Sequence, residues 1–214
     1  VCSSDLLLPK VLSIALVLAG TFGVAVLTGV GFQVFHGYQR FEWMAYLLWF
    51  VVPTWISTTQ IAVLSVTVQS LVPTKPLGWA VMLVYLVAEA SLGTLGFQHT
   101  LYNFGETAVV PLSDMNAMGH FWIGPAWQRA YWTSFCVILL ALVHVLRIRG
   151  VDLRWHPRLQ RAPGRLRGAT AGILGAAVAL WIGLGSWIFL NTNIRNTYRP
   201  STDRKSTRLN SSHR

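Results

Sequence analysis

The sequence predicts an all-α integral membrane protein: a polytopic bundle of about five transmembrane helices with one structured extracytoplasmic loop. Composition is the first reason, because 53% of the 214 residues are hydrophobic and only 11% are charged, whereas a soluble domain carries about a quarter charged residues. Spacing is the second reason, because the apolar runs are close to the roughly 20 residues that a helix needs to cross a bilayer. The third is a single long polar segment, Gly96–Tyr131, with apolar runs on both sides.

The predicted spans follow one another with short links, apart from the polar segment and one basic linker. They lie at about Val11–Phe35, Met44–Val72, Leu77–Leu95, Ala130–Leu146 and Ala169–Leu190. The second is long for one crossing and contains Pro53, so we expect it to be tilted or broken. The polar residues just after Pro53, from Thr54 to Gln60, either line a substrate path or repair the kink and bond neighbouring helices, and we favour the second interpretation.

Glu89 is the acidic residue that lies inside a predicted span. A carboxylate within the membrane is unfavourable by a few kcal/mol, which makes it a candidate functional residue. Since the third span ends only a few residues later, the alternative is that Glu89 reaches the interface and binds donors in the polar segment.

The polar segment supplies the remaining candidate site residues. They carry carboxylate, amide and imidazole groups: His99, Glu106, Asp114, Asn116 and His120. The two histidines and the two acids among them are ligand types for zinc or another divalent metal, but their spacing matches no metal-binding motif. The alternative is an ordered interfacial loop in which aromatic residues form a belt and Pro111–Asn116 forms turns.

A basic linker separates the fourth and fifth spans. Its arginines are Arg147, Arg149, Arg154, Arg158, Arg161, Arg165 and Arg167. Such a stretch is able to bind nucleic acid, but its place between two spans favours a cytoplasmic linker that faces anionic lipid, and no nucleic-acid partner is expected. With this linker inside, nine Lys and Arg residues lie inside and four outside, so the polar segment is predicted to be extracytoplasmic.

Both ends of the chain match a translated sequencing-library adapter in opposite orientations. Residues 1–6 and 203–214 are therefore expected to be artefacts, and residues 7–202 to be a fragment of a longer protein. The alternative is a natural polar tail. Excluding the adapter removes Cys2 and leaves Cys136 as a buried hydrophobic side chain with no disulfide partner.

Four short motifs resemble a bacterial membrane protein family: HTLYNFG at 99–105, PLSDMN at 111–116, GHF at 119–121, and WIFLNTN at 187–193 with Asn196 and Tyr198. The family joins a type-2 ABC-exporter-like permease region to a C-terminal zinc aminopeptidase domain, and the resemblance covers most of Met44–Arg199. It implies a helical bundle here and zinc-dependent removal of N-terminal residues from peptides by a domain that this chain lacks. No catalytic or zinc-binding residue is carried over, and no cofactor is expected in the chain itself.

Two functions of different classes follow. One is a transport module, which would pair with an ATPase subunit and further permease helices. The other is a membrane anchor that positions the peptidase without transporting anything. Either would be a multi-pass protein of the bacterial cytoplasmic membrane with the lipid bilayer as a partner.

Overall fold

A computed structural model describes residues 7–38, 41–95, 100–108, 119–146, 166 and 168–195. Within these ranges the chain is helical and contains no β-strand, so the predicted all-α class is confirmed. The helices are α1 (Leu7–Phe35), α2 (Trp43–Leu71), α3 (Lys75–Thr94), α4 (Ile123–Leu146) and α5 (Ala169–Ile194). All five are long and apolar enough to cross a membrane. The expected artefacts at residues 1–6 and 203–214 lie outside the described residues, as do the seven linker arginines.

Helix α2 adapts to Pro53 by widening its turns ahead of the proline. Tyr46–Val51 is π-helical, and the N–H of Val52 donates to the carbonyl of Leu47. A proline ring crowds the carbonyl four residues earlier, and a widened turn is one way to relieve that crowding. The predicted second span is thus one helix with a local distortion. A second π-helical turn, Leu190–Ile194, ends α5.

Helix α4 begins at Ile123, seven residues before the predicted Ala130. Gly124 and Pro125 made this stretch resemble a loop in the sequence. Pro125 is the third residue of the helix, where its missing N–H is tolerated because the first turn has no internal acceptor for it. The last part of the predicted polar loop is therefore the first two turns of a membrane helix.

Helix α2 is central in the packing of the bundle. It contacts α1, α3 and α4, and α4 in turn packs against α5. The indole N–H of Trp55 on α2 donates to the Ala15 carbonyl of α1 at 2.7 Å. Along α1 and α3 most large apolar side chains are exposed, which is expected of helices that face lipid or further helices.

The best-buried core lies where α2, α4 and α5 meet residues 100–108. Its buried members come from all four elements: Val63, Phe104, Tyr131, Trp132, Cys136 and Ile188. Cys136 is 5% exposed, and its sulfur lies 3.9 Å from the carbonyl oxygen of Gln60. The sequence prediction that Cys136 is a buried hydrophobic residue is confirmed.

Candidate functional site: a cap over helices α2 and α4

Residues 100–108, here called the cap segment, are held closed by one side chain of α4. The amide nitrogen of Gln128 donates to Thr100 Oγ1 at 3.0 Å, and its amide oxygen accepts from the backbone N–H of Ala108 at 2.7 Å. Gln128 therefore bonds to both ends of the segment, and it is 7% exposed. Because a buried amide that lost these partners would be destabilising, the two bonds fix the cap segment against α4.

A second glutamine joins α2 to α4 beneath the cap segment. Gln60, only 3% exposed, donates through Nε2 to the Arg129 carbonyl at 3.1 Å and to Thr133 Oγ1 at 2.9 Å. The Thr133 hydroxyl itself donates to that carbonyl at 2.7 Å, so the hydroxyl oxygen accepts from Gln60. Both neighbours accept, so the orientation of the Gln60 amide is fixed and its oxygen points elsewhere.

That oxygen lies under Gly105. A Cβ built on Gly105 would stand 3.6 Å from Gln60 Oε1, and Gly105 has a φ of +75°. The left-handed conformation turns the backbone of the cap segment over the side of α2 at Gln60, and glycine adopts it without strain. Gln60 Oε1 is buried and accepts no hydrogen bond within the described part of the chain.

Arg129 lies next to both glutamines, on the second turn of α4. It is half-buried, and Nη2 donates a long bond of 3.4 Å to Thr107 Oγ1. Its Nε is buried and makes no hydrogen bond to a described residue. The nearby carboxylate of Glu106 instead accepts from Asn103 Nδ2 at 2.5 Å.

Phe104 anchors the cap segment in an aromatic cluster. Its ring meets Trp132 edge-on at 5.1 Å and Phe135 at 5.9 Å. Tyr131 stacks on Trp181 of α5 at 5.5 Å and meets Trp132 at 4.8 Å. Each such pair adds about 0.5–1.5 kcal/mol beyond the apolar area buried, so the cluster fixes the cap segment, α4 and α5 as one unit.

The end of α5 lies at the same end of the bundle. Trp187 stands 6.4 Å from Trp127, the residue before Gln128. The guanidinium of Arg195 lies over the Trp187 ring at 5.9 Å, and Asn191 Nδ2 donates to the Trp187 carbonyl at 2.8 Å. The last turns of α5 therefore lie at the same end of the bundle as the start of α4 and the cap segment.

The structure places the predicted site residues in different environments. Glu89 is half-buried on α3 and interacts with Tyr85, one turn away on the same helix, and no hydrogen bond between described residues joins it to the cap segment. Glu106 belongs to the cap segment, and exposed His120 precedes α4 with its ring stacked on Phe121 at 5.0 Å. The other candidates, His99, Asp114 and Asn116, lie outside the described residues.

Metal binding by the candidate cluster stays a hypothesis. Among the residues that the structure describes, no group of three or more His, Cys, Asp or Glu side chains is placed to hold a metal ion. Two of the four proposed ligands, His99 and Asp114, fall outside that set. The described part of the site instead contains the side-chain amides of Gln60 and Gln128, which join the cap segment, α2 and α4, and the guanidinium of Arg129.

Sequence reasoning placed Gln60 among polar residues of α2 and did not single out Gln128 or Arg129. A signal was present, since Gln60 inside the second span and Gln128 and Arg129 just before the fourth are polar groups that need partners near a membrane. Their partners are backbone groups and threonine hydroxyls of the cap segment and of α4, which the sequence gives no means of assigning.

The chain was compared with protein-family models, with curated protein sequences and with solved structures, and no match was found in any of the three. The described residues themselves show five helices that are long and apolar enough to cross a membrane.

Proposed function

We propose that the chain is the membrane-spanning, permease-like region of an ABC-type transport protein that carries a zinc aminopeptidase outside the cytoplasm, beyond residue 195. The sequence motifs that resemble this family motivate the proposal. Zinc would be bound by the peptidase. This region would contribute the membrane helices and the surface to which the peptidase is attached.

One structural observation supports the proposal above the others. Described residues of two distant motifs meet at one end of the bundle: the cap segment bonds to Gln128, and Trp127 beside it contacts Trp187 of the α5 exit. The chain after α5 would therefore start from a surface that is fastened by hydrogen bonds and aromatic packing. Such a surface is suited to hold an attached peptidase domain in a defined position relative to the membrane helices.

A membrane anchor without transport activity is the second candidate, and the use of the polar residues in α2 favours it. Thr58 donates to the Thr54 carbonyl at 2.8 Å within the same helix, and Gln60 bonds to α4. The Thr58 hydroxyl and the Gln60 nitrogen are therefore engaged within the bundle, whereas a transport path would need polar groups that remain available to a substrate.

Labelling with a membrane-impermeant maleimide tests the orientation. The variants place single cysteines at exposed described positions, Tyr102→Cys in the cap segment and Thr74→Cys in the turn between α2 and α3, in a chain with Cys2→Ser. We expect Tyr102→Cys to react in intact cells and Thr74→Cys to react only after permeabilisation. Cys136 is the internal control, because it is buried. The reverse labelling pattern would overturn the proposed orientation.

The attached activity is tested on the gene read without interruption through both ends of this sequence. We expect the encoded protein, in purified membranes, to hydrolyse an alanine chromogenic anilide and to lose that activity with a chelator. A gene that encodes no further domain after α5 would exclude the peptidase. Measuring ATP-dependent transport in membrane vesicles distinguishes the two candidate functions, because a permease would transport a substrate and an anchor would not.

A further inference from the structure

Glu89 is a carboxylate within a membrane-spanning helix, and the described part of the chain gives it no counter-charge. It lies five residues before Thr94, where α3 ends, which is about 7–8 Å along the helix axis. Because α3 has 20 residues, its length of about 30 Å matches the hydrocarbon layer, and Glu89 falls inside that layer. No described Lys, Arg or His forms an ion pair with it. A carboxylate at such a depth is normally paired, because an isolated charge is unfavourable in hydrocarbon.

Tyr85, one turn earlier on α3, is the described polar group that interacts with Glu89. Its ring packs against the buried core, and its hydroxyl is buried without a hydrogen bond to another described residue. A phenol carries no positive charge, so Tyr85 does not neutralise the carboxylate. Glu89 itself is only half-buried, and part of it therefore remains accessible to a group from outside the chain.

Helix α3 lies at the edge of the bundle, since its contacts with other described helices are mainly with α2. Met82 and Tyr85 are on its more buried side, and Glu89 continues that side at helical spacing. An exposed apolar stripe with spacing i, i+3, i+4 and i+7 runs beside them: Leu83, Leu86, Val87 and Ala90. The three large side chains of this stripe are between 50% and 65% exposed. A helix packed on the stripe would come close to Glu89, and the small Ala90 would let the two backbones approach.

We propose that this face of α3 is a docking surface for a transmembrane helix of a partner that carries a lysine or arginine at the depth of Glu89. Lipid would cover the apolar stripe equally well, so the stripe alone selects no partner. The carboxylate does select one, because a basic side chain supplies the counter-charge that the described chain lacks. The inference rests on the proposed function only in expecting further permease helices, and it adds the charge that one of them carries.

Energy transfer in lipid vesicles tests the docking with synthetic helices. The chain carries a donor dye at Thr74→Cys, with Cys2→Ser, and the peptide carries an acceptor dye. Three peptides of leucine and alanine differ only in one residue placed five positions from one end, which is lysine, leucine or glutamate. We expect the lysine peptide to associate on the order of fivefold to thirtyfold more tightly than the leucine peptide, and the glutamate peptide to associate no more tightly than the leucine peptide.

Matched variants locate the association. Glu89→Gln keeps the size of the side chain and removes its charge, so the lysine peptide should then bind at about the level of the leucine peptide. Glu42→Gln removes an exposed carboxylate at the same end of the bundle, just before α2, and should change nothing. Glu89→Lys reverses the charge and should reverse the preference, so that the glutamate peptide binds most tightly.

Equal association of the three peptides would show that lipid alone covers this face and would overturn the proposal. Equal binding of the lysine peptide to Glu89→Gln and to the unsubstituted chain would overturn it too. The reversal by Glu89→Lys predicts a gain of binding, which loss of folding does not imitate. Neither the comparison of labelling before and after permeabilisation nor the peptidase assay involves Glu89, so failure here is separate from failure of the proposed function.

Discussion

Gly185 on α5 offers the sharpest test of the packing between α4 and α5. A Cβ built at Gly185 would lie 3.0 Å from Tyr131 Cε2 and 3.6 Å from Tyr131 Cδ2. Carbon atoms in favourable contact are about 3.5–4.0 Å apart, so Gly185→Ala requires the ring or the helix to move by about 0.5 Å. The ring has little room to move, because Tyr131 is 8% exposed and stacked on Trp181.

Gly183→Ala is the matched control, because a Cβ there meets no atom within 4 Å. Both substitutions change helix propensity by the same amount, up to about 1 kcal/mol in favour of alanine, so the propensity cancels in the comparison. Overpacking of a well-packed contact typically destabilises by about 1–3 kcal/mol. We therefore expect Gly185→Ala to be about 1–3 kcal/mol less stable than Gly183→Ala.

The measurement is unfolding of the purified chain in mixed micelles with increasing denaturing detergent, followed by tryptophan fluorescence. A double-substitution cycle with Tyr131→Leu identifies the contact, because removing the ring should remove most of the penalty at residue 185. If Gly185→Ala and Gly183→Ala unfold together within about 0.5 kcal/mol, the proposed close contact of α5 with Tyr131 is refuted.

Three further predictions concern the cap and the α1–α2 contact. Gln128→Leu removes both hydrogen bonds that hold the ends of the cap segment, so it should lower the free energy of unfolding by about 2 kcal/mol and speed proteolysis within residues 100–108. If the variant and the unsubstituted chain are cleaved there at equal rates, Gln128 does not hold the cap segment in place. Gly105→Ala forces a left-handed conformation on alanine and should lower stability in the same unfolding assay by about 1–2 kcal/mol. Gly124→Ala is the control, because a Cβ there meets no atom within 4 Å and the backbone is not left-handed. Trp55→Phe removes the indole bond to α1 and should reduce stability by about 1 kcal/mol, and an unchanged midpoint would show that the bond contributes nothing.

The helices were predictable because length and hydropathy alone specify a membrane span. The ends of α1, α2 and α3 lie within a few residues of the predicted bounds. The start of α4 was missed because Gly124 and Pro125 weaken helix propensity only inside a helix, and Pro125 lies in the first turn. The π-helical turn before Pro53 was anticipated only as an unspecified distortion, since a kink, a break and a widened turn all relieve the same steric conflict.

The site was less predictable because its geometry depends on contacts between distant parts of the chain. Sequence reasoning selected acids and histidines as the groups with catalytic or metal chemistry. The described contacts instead centre on two glutamines, whose partners are a backbone N–H, a backbone carbonyl and two hydroxyls. Backbone groups occur at every residue, so no sequence pattern indicates which of them a buried amide will bind.

The two glutamines differ in how completely the described chain satisfies their amide groups. Gln128 uses both its oxygen and its nitrogen within the described chain, so it serves structure alone. Gln60 uses only the nitrogen, although it is the more buried of the two. An unpaired buried oxygen is destabilising, so the two hydrogen bonds of the Gln60 nitrogen have to outweigh it for the residue to stabilise the contact between α2 and α4. We therefore expect Gln60 to contribute less net stability than Gln128, whose oxygen and nitrogen are both bonded.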